Sequence, residues 1–479
     1  MKMTKKKQLP LLENVEITGI AAEGKAIARV DGKVVFVPLA CPGDVVDLQV
    51  VRKRSSYCEA RIVRFHSYSP ERVEPVCRHF GECGGCKWQC LRYDRQLFYK
   101  QQQVVDSLKR IGKLTLPEPE PIIGADHQFG YRNKVEFTFS NRRWLSRDEL
   151  AQGGRVEWGG GVGFHIVGSF DKVIDIENCH LVGELCNRVR NDLRDFAKRE
   201  QISFYDLKHQ VGVMRSMMFR SSNSGESMLL LQFHCTNEEE ERQSRDIIDY
   251  LINNRPELTN ILWVNNLKGN DTILDREVHA VKGSGYMYCL MDDLKFKVGP
   301  KSFYQTNNEQ ALKLYTKVRD YCELKGDELV YDLYTGTGTI ALFLARAARF
   351  VIGVEYVPEA IESAWENARL NGIGNVAFLT GDVKDIFRPD ILSKIGYTEM
   401  ALLSKVVVVD PPRVGMHPAV VESLLEAAPQ RIVYVSCNPA TQARDLSLLD
   451  GFYRVATFEP VDMFPQTHHI ENVALLVKR

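Results

Sequence analysis

The strongest constraint on the fold is a repeated alternation of apolar strands and helical segments that begins near Glu328. This alternation is typical of an open, mainly parallel sheet of the nucleotide-binding type. Two further strand-like runs, Phe452–Glu459 and Val473–Val477, are expected to close the sheet as a hairpin edge. The predicted parallel strands are Leu329–Leu333, Phe350–Glu355, Val376–Leu379, Val406–Val409 and Arg431–Ser436.

The length of 479 residues exceeds what one hydrophobic core supports, so roughly two to four domains are expected. Basic and acidic residues balance at 62 each, which weighs weakly against a polyanion-binding protein but leaves room for a local basic patch. The basic run Met1–Lys7 has no apolar run behind it and is not a secretory signal.

No apolar stretch approaches the roughly 20 residues of a membrane span. The 12 cysteines indicate reduced thiols or metal ligands rather than a disulfide framework. We therefore expect a cytoplasmic protein without a membrane partner, and a monomer.

Residues 12–66 contain short apolar–polar strands at close spacing, and Asp31-Gly32 between two of them predicts a two-residue hairpin. This pattern favours a small β-barrel. Its late strands carry Tyr57 and five basic residues, which form either an RNA surface or a solvated basic face. The basic residues are Arg52, Lys53, Arg54, Arg61 and Arg64.

Residues 131–290 have a mixed α+β pattern, after a helical segment Arg92–Ile111 and a proline-rich linker at 117–121. Gly153–Gly163 is expected to be a flexible loop. Strands are predicted at Lys134–Ser140 and Met228–His234, and helices at Glu184–Arg199 and Glu238–Asn253.

A cofactor site is predicted at the end of the first parallel strand, where Gly336 and Gly338 let the backbone pass close to a ligand. The third glycine position of the dinucleotide fingerprint is Ala341, which still allows close packing. Glu355 stands about 20 positions on, where a carboxylate binds ribose hydroxyls. Asp382 adds a carboxylate suited to the adenine or ribose edge. Since the loop has no lysine or arginine for a phosphate, S-adenosylmethionine fits better than NAD.

The run Asp410-Pro411-Pro412-Arg413 ends the fourth parallel strand. Methylases of amino groups commonly have an aromatic residue where Arg413 stands, and that ring stacks on the base. An arginine can pair with a phosphate or stack by its guanidinium plane, but it cannot replace that ring. Amino methylation is therefore disfavoured.

Cys437 follows the next strand at the same sheet edge, and Asn438-Pro439 turns the chain there. Isolated cysteines in apolar strands are often inert core residues. An exposed thiolate could instead add to carbon 6 of a pyrimidine and activate carbon 5 toward a methyl cation. A base must then remove the carbon 5 proton, and the candidates are Glu471, His468 and His469.

Three runs together resemble the S-adenosylmethionine-dependent RNA uracil-5-methyltransferases: Asp410–Arg413, Ser436–Pro439 and His469–Asn472. The resemblance covers nearly the whole chain and implies an N-terminal OB-like β-barrel (TRAM), a central α+β domain with an iron–sulfur cluster, and a C-terminal Rossmann-like methyltransferase domain. The expected bounds are 10–68, 69–295 and 296–479. The 23S ribosomal RNA enzymes are the nearest members, since the transfer RNA enzymes typically lack the barrel and the cysteine cluster.

The resemblance also implies residue roles, with Cys437 as nucleophile and Glu471 as proton-abstracting base. Thr339 and Asp382 stand where other members often have asparagine. Tyr131-Arg132-Asn133-Lys134 matches a family segment near the RNA. The implied cofactor contacts are Gln305, Tyr334, Thr339, Glu355, Asp382 and Asp410.

A metal centre is predicted where Cys77, Cys83 and Cys86 follow one another with glycines between them. Cys90 is the nearest further thiol, but Cys179 matches the family's distant fourth ligand and would leave Cys90 uncoordinated. The resemblance implies a structural [4Fe–4S] cluster, and a zinc site is the alternative because spacing alone cannot separate the two.

The expected function is methyl transfer to carbon 5 of a uridine in structured RNA, most specifically 23S ribosomal RNA. The target nucleotide must be flipped into the pocket, and basic residues would grip the backbone. Two alternatives are the same chemistry on the T-loop of transfer RNA, and a non-catalytic iron–sulfur RNA-binding scaffold.

The metal centre gives a direct prediction. Protein purified without oxygen should be brown and should absorb in the thiolate-to-iron charge-transfer region, with matching iron and sulfide contents. A colourless protein with stoichiometric zinc would instead establish the zinc site.

Overall fold

The computed structural model describes residues 9–479 except 152, 154–158, 167, 388–390, 392, 394–395, 397 and 399–403. Its helices are α1 (Tyr93–Arg110), α2 (Arg147–Ala151), α3 (Glu184–Arg199), α4 (Glu238–Asn254), α5 (Asn308–Cys322), α6 (Thr339–Ala345), α7 (Pro358–Leu370), α8 (Pro418–Ala427) and α9 (Pro439–Leu449). Short 3₁₀ turns occupy Ala22–Gly24 and Val383–Asp385.

The strands are β1 (Leu11–Glu16), β2 (Gly19–Ile20), β3 (Ala26–Val30), β4 (Lys33–Val37), β5 (Val45–Lys53), β6 (Tyr57–Ser67), β7 (Lys134–Ser140), β8 (Arg143–Trp144), β9 (Gly161–His165), β10 (Val173–Asp175), β11 (Met214–Ser221), β12 (Ser227–Phe233), β13 (Asn260–Asn265), β14 (His279–Lys282), β15 (Met287–Met291), β16 (Leu294–Val298), β17 (Leu329–Leu333), β18 (Phe350–Glu355), β19 (Val376–Thr380), β20 (Lys405–Val409), β21 (Arg431–Ser436), β22 (Tyr453–Val461) and β23 (Glu471–Lys478).

The chain divides into two compact units: residues up to Gln103 together with Phe464–His469, and the remainder from Val104. In the first unit the strands follow the order β1-β5-β6-β4-β3-β2 around an apolar core. Asp31 and Gly32 both have positive φ (49° and 75°) between the antiparallel β3 and β4. The predicted two-residue hairpin is therefore confirmed, because mirror-image turns need two such residues.

The segment Phe464–His469 joins the first unit through backbone hydrogen bonds. The carbonyl of Gln466 accepts from the backbone N–H groups of Lys87 and Trp88, each at 3.1 Å. The side chain of Gln96 in α1 donates to Gln466 Oε1 at 3.0 Å. A stretch that is distant in sequence is thus held by the residues that precede and begin α1.

The second unit begins with a mixed sheet in the order β14-β13-β12-β11-β7-β9-β10-β8, which confirms the predicted α+β pattern. The expected flexible loop Gly153–Gly163 is wrong at its end, because Gly161–Gly163 lies in β9; residues 154–158 lie outside the described residues. A Cβ on Gly163 would lie 2.1 Å from the Ile174 carbonyl oxygen. Glycine serves here for close strand packing rather than for mobility.

The C-terminal sheet of the second unit has the order β19-β18-β17-β20-β21-β23-β22. β17 to β21 are parallel, and β23 and β22 form the antiparallel edge that the sequence predicted. The strand order reverses between β17 and β20, which is the switch point where ligands bind in open α/β sheets.

The pairing of β21 with β23 sets the most important register in this sheet. Ser436 pairs with Asn472 in an antiparallel ladder. Continuing that ladder by one residue places Cys437 opposite Glu471. Residues directly opposite in such a ladder have Cβ atoms about 5 Å apart.

The three-domain division with bounds 10–68, 69–295 and 296–479 stays a prediction, since compactness alone gives two units. None of the helices in the described part of the chain is long and apolar enough to cross a membrane.

Candidate active site

The loop between β17 and α6 is shaped for close approach of a ligand. Tyr334, Gly336 and Gly338 all have positive φ, at 66°, 55° and 81°. A Cβ on Gly338 would lie 3.0 Å from Ala364 Cβ, so glycine is needed there for packing. A Cβ on Gly336 would meet nothing within 4 Å, so the space above that residue is open.

Asp332, the penultimate residue of β17, is a candidate site residue that the sequence did not predict. One carboxylate oxygen accepts from Thr335 Oγ1 and, at 3.0 Å, from the Ala341 N–H. The other oxygen is buried and has no hydrogen-bond partner among the described residues. Burial raises the pKa of Asp332 to about 7.

Glu355 ends β18 and ties the glycine loop to it. Its Oε2 accepts from the Gly336 N–H at 3.2 Å, and its Oε1 accepts from the Tyr356 N–H at 2.8 Å. Asp382 is differently placed, because it is half exposed and pairs with Lys384 Nζ at 2.8 Å. The hydrogen bond from Lys384 is the main reason that the pKa of Asp382 is lowered.

Tyr315 in α5 connects several of the predicted cofactor residues and was also missed. Its hydroxyl lies 3.3 Å from Thr339 Oγ1 and interacts with Gln305. Burial, and then the charges of Asp410 and Asp332, raise its pKa. Tyr334 is placed similarly near Asp382 and Glu355, and burial raises its pKa to about 12. The predicted cofactor contacts therefore gather around two tyrosine rings.

The half-buried Cys437 lies among carboxyl groups. Burial, followed by the charges of Glu471 and Asp410, raises the pKa of its thiol to about 11, while Arg413 opposes the rise. Burial is also the main cause that raises the pKa of Asp410 to about 7 and that of Glu471 well above its usual value. Neither carboxyl makes a hydrogen bond or ion pair with the residues that the structure describes.

The three candidates for the proton-abstracting base belong to different compact units of the chain. Glu471 begins β23 in the second unit, whereas His468 and His469 belong to the Phe464–His469 segment of the first. Within the second unit, the charge of Glu471 acts on the Cys437 thiol.

The segment Tyr131–Lys134 is anchored beside the predicted cofactor glutamine. The Asn133 side chain donates to the Gln305 carbonyl at 2.9 Å and to Asn308 Oδ1 at 2.7 Å. A cavity of about 560 Å³ lies against Tyr131, Asn133 and Asn308, and none of the predicted catalytic or cofactor residues lines it. The cavity is thus separate from the Cys437 site.

The basic residues of the barrel lie on paired strands. Arg52 and Lys53 end β5, Arg54 follows it, and Arg61 and Arg64 lie on β6; all are exposed. Arg52 lies 3.8 Å from Glu59. This exposure agrees with both interpretations of the surface, an RNA contact and a solvated face.

The cysteine segment of the first unit is compact and partly buried. The Cys77 N–H donates to Gln89 Oε1 at 3.0 Å, and the Cys83 N–H donates to the His79 carbonyl at 2.9 Å. Cys90 is buried, with its Sγ 3.6 Å from that of Cys41. Thiols are suitable donors for the predicted cluster, and Cys77, Cys83 and Cys86 are all half-buried.

Cys179 belongs to the second unit, where Asn187 fixes its backbone. The Cys179 N–H donates to Asn187 Oδ1 at 2.8 Å, and Asn187 Nδ2 donates to the Cys179 carbonyl at 3.1 Å. Within the described residues, no group of three His, Cys, Asp or Glu side chains is arranged to hold a metal ion. The structure does not show the [4Fe–4S] cluster or the zinc site, and both stay predictions.

Comparison with known proteins gives matches over nearly the whole chain. A family model described as tRNA (Uracil-5-)-methyltransferase matches residues 172–479, and a TRAM domain model matches residues 13–63. An uncharacterized RNA methyltransferase of Bacteroides thetaiotaomicron is 53% identical over 460 residues, covering 96% of this chain and 100% of the relative. Another from Porphyromonas gingivalis is 50% identical over 474 residues, covering 97% and 99%.

A solved structure is also similar along its full length. The Pyrococcus abyssi tRNA (uracil-54, C5)-methyltransferase, in complex with S-adenosyl-L-homocysteine, superposes with a TM-score of 0.72 at 28% identity. The match covers 96% of this chain and 99% of the other. The part of this chain that the match leaves out is shorter than residues 13–63, so the likeness includes part of the barrel.

The environment of Cys437 predicts its reactivity. Iodoacetamide should modify Cys437 slowly at pH 7, and the rate should rise about tenfold for each pH unit up to pH 10, because only the thiolate reacts and the pKa is near 11. Mass spectrometry of the Cys437 peptide after timed labelling measures this rate. A plateau below pH 8 would contradict the prediction.

Proposed function

We propose, from the premise that this chain belongs to the tRNA (uracil-5-)-methyltransferase family, that it transfers a methyl group to carbon 5 of a uridine in RNA through a covalent adduct on Cys437. The observation that carries the proposal is the β21–β23 register, which ends with Ser436 opposite Asn472, the residues next to Cys437 and Glu471. The charge of Glu471 acts on the Cys437 thiol, which supports their proximity. Asp410, at the end of the neighbouring β20, completes the group.

The residues around the glycine loop fit S-adenosylmethionine as the methyl donor. The space next to Gly336 is open, and Asp332 has a buried carboxylate oxygen without a hydrogen-bond partner among the described residues. Asp332, Glu355 and Asp410 form an acidic surrounding that suits a positive centre and ribose hydroxyls. When bound, this donor supplies an electrophilic methyl group and leaves as a neutral thioether.

The residues of the chain act in a fixed order. The Cys437 thiolate forms a bond to carbon 6, and the electron pair of the ring double bond moves to carbon 5, which takes the methyl group. Glu471 then removes the proton from carbon 5, the double bond re-forms, and the bond between Sγ and carbon 6 breaks. Glu471 passes the proton to solvent, and Cys437 is again a thiolate.

The raised pKa of Glu471 suits a proton acceptor. A carboxylate with an ordinary pKa is a weak base, whereas burial makes the Glu471 carboxylate bind a proton more strongly. Glu471 has to be ionised when the carbon 5 proton leaves, so activity should rise with pH as the carboxyl loses its own proton. The cysteine segment takes no part in these steps.

Variants of the two residues test the proposed steps. Cys437→Ala should abolish transfer of labelled methyl groups to RNA, because no bond to carbon 6 can form. Glu471→Gln should retain methyl transfer but trap the protein on the RNA, giving a slow band on a denaturing gel.

Cys235→Ala is the control, since Cys235 is a buried core thiol outside the site and its loss should preserve activity. Methyl transfer by Cys437→Ala would contradict the covalent steps and leave room for a different mechanism. A Glu471→Gln protein that turns over without an adduct would assign the base to another residue. If the unaltered protein transfers no methyl groups to any RNA, the result would favour a non-catalytic RNA-binding scaffold.

For the substrate we propose a uridine of structured RNA, with 23S ribosomal RNA as the specific target. The exposed basic residues of β5 and β6, on the barrel matched by the TRAM model, support an RNA partner. The resemblance noted from the sequence, including the cysteine segment, supports the ribosomal target.

A uridine of transfer RNA is the second candidate, and the full-length likeness to the Pyrococcus abyssi enzyme favours it. Flipping the base out of a folded RNA is required for both substrates, because carbon 5 and carbon 6 are not accessible within a stacked loop.

Mapping of 5-methyluridine separates the two substrates. Mass spectrometry of ribosomal and transfer RNA from cells with and without this protein should show one ribosomal 5-methyluridine that depends on it. Loss confined to transfer RNA would replace the ribosomal target with the second candidate. As the matched control, the Cys437→Ala variant is expressed in cells that lack this protein. It should restore 5-methyluridine in neither ribosomal nor transfer RNA.

A further inference from the structure

We infer that the cavity of about 560 Å³ against Tyr131, Asn133 and Asn308 is a binding site for a second nucleobase of the RNA, an unpaired adenine held beside the target uridine. The inference deepens the proposed function and rests on it for the identity of the RNA. Cavities of this volume are typical of ligand sites. All the residues that line the cavity lie in the second unit.

The walls of the cavity are held in place by hydrogen bonds between distant parts of the chain. The Ser221 N–H, at the end of β11, donates to the Asn133 carbonyl at 2.9 Å. In the turn between β11 and β12, the Asn223 side chain donates to the Leu290 carbonyl at 2.8 Å and accepts from the Leu290 N–H at 2.9 Å. The cavity is therefore formed before a ligand enters, which reduces the entropy lost on binding.

Two linked asparagines give the cavity a defined pattern of hydrogen-bonding groups. Asn133 Nδ2 donates to the Gln305 carbonyl at 2.9 Å and to Asn308 Oδ1 at 2.7 Å. Because a carbonyl can only accept, these contacts fix which atom of each amide is the nitrogen. Asn133 Oδ1 and Asn308 Nδ2 are left without a hydrogen-bond partner among the described residues. The pair therefore offers one acceptor and one donor to a ligand.

This pattern suits adenine, which asparagine side chains characteristically bind through its amino group and a ring nitrogen. Two carboxylates, those of Asp292 and Glu309, also line the cavity. A carboxylate only accepts hydrogen bonds, so it favours a base with an amino group over uracil, which has none. The polar groups of the cavity therefore distinguish the second base from the uridine that is methylated.

Aromatic side chains provide a surface on which a base can stack. Phe129 and Tyr131 line the cavity, and both are half-buried. The ring of Phe129 is supported by an edge contact with His180, with 6.2 Å between the ring centroids. Unstacked bases of single-stranded RNA are characteristically held on such rings.

The charge of the cavity favours a base within RNA over a free nucleotide. The described residues that line it include no lysine or arginine to bind a terminal phosphate. His127, which also lines it, lies 3.7 Å from Glu309 Oε1. A base that is part of a chain can enter such a cavity while its phosphates remain in solvent or contact other parts of the protein.

Asn133 places the cavity beside the proposed reaction site. Its side chain is bound to the carbonyl of Gln305, and Gln305 also interacts with the Tyr315 hydroxyl. That hydroxyl lies 3.3 Å from Thr339 Oγ1. Gln305 and Thr339 are both predicted cofactor contacts. A base bound in the cavity would therefore lie next to the segment that carries Gln305, and it would hold the RNA while the uridine reacts.

Binding of short RNAs to the full-length protein tests the inference. Fluorescein-labelled pentanucleotides UUAUU, UUGUU, UUCUU and UUUUU differ in one base, and fluorescence anisotropy measures their dissociation constants. Saturating S-adenosyl-L-homocysteine is present, so that the adenine of the probe cannot enter the proposed donor site. UUAUU should bind tightest, about tenfold tighter than UUUUU.

Two variants change the recognition in different ways. Asn308→Asp keeps the oxygen that accepts from Asn133 but replaces the donor with an acceptor, so UUGUU, whose guanine presents two adjacent donors, should become the tightest ligand. Phe129→Ala should weaken binding of UUAUU about tenfold through loss of stacking. Asn254→Asp and Phe452→Ala, at exposed positions outside the cavity, are the matched controls and should keep the adenine preference.

Thermal unfolding curves verify that each variant is folded. Equal binding of the four RNAs by the unaltered protein would overturn the inference, as would a folded Asn308→Asp protein that keeps the adenine preference. Adenosine monophosphate that competes as well as unlabelled UUAUU would assign the cavity to a free nucleotide and would also overturn it. The assay involves no methyl transfer, so its failure leaves the proposed reaction intact, and failure of that reaction is detected separately with Cys437→Ala.

Discussion

The carboxyl edge of the C-terminal sheet depends on keeping several acidic side chains out of water. Asp332 lies near the end of β17, Asp410 follows β20 and Glu471 begins β23, and burial raises the pKa of each. Burying a charged carboxylate without a partner is costly, so burial favours the neutral forms of these groups. A positive ligand reverses that preference, because it stabilises the ionised forms of the same groups.

The same burial affects the proposed nucleophile. Cys437 has a raised pKa, and a neutral thiol reacts poorly with stray electrophiles. A sulfonium would add positive charge beside these groups only when the proposed methyl donor is bound. The proposed function would then let the Cys437 thiolate form chiefly when methyl transfer can follow.

The sequence predicted regular elements well, because local periodicity determines them. β7, β17, β18, β21 and α3 have the predicted bounds, and the Asp31-Gly32 hairpin formed as expected. The error at Gly161–Gly163 has a tertiary cause. A glycine-rich run predicts flexibility when seen alone, but the Ile174 carbonyl leaves no space for a side chain at Gly163.

Candidate site residues could be predicted from the sequence where they follow or begin a strand. They could not be predicted where only side-chain packing brings them to the site. Asp410, Cys437 and Glu471 lie at strand ends, so topology alone places them at one edge. Tyr315 lies within α5, and no local signal shows that its hydroxyl lies 3.3 Å from Thr339 Oγ1, one of the predicted cofactor contacts. Asp332 had a usable signal, an acid at a strand end before a glycine loop. The ligands of the predicted metal centre include residues that are far apart in the sequence. The spacing of the cysteines alone therefore cannot identify the fourth ligand.

The path of the chain between β22 and β23 has a mechanical consequence. The chain leaves the second unit at Met463, is hydrogen-bonded within the first unit at Gln466, and returns at Ile470, one residue before the proposed base. Glu471 is therefore tethered by a few covalent bonds to a segment anchored beside α1. Removing the first unit would therefore also remove the partners that hold Gln466, which lies five residues before Glu471 in the chain.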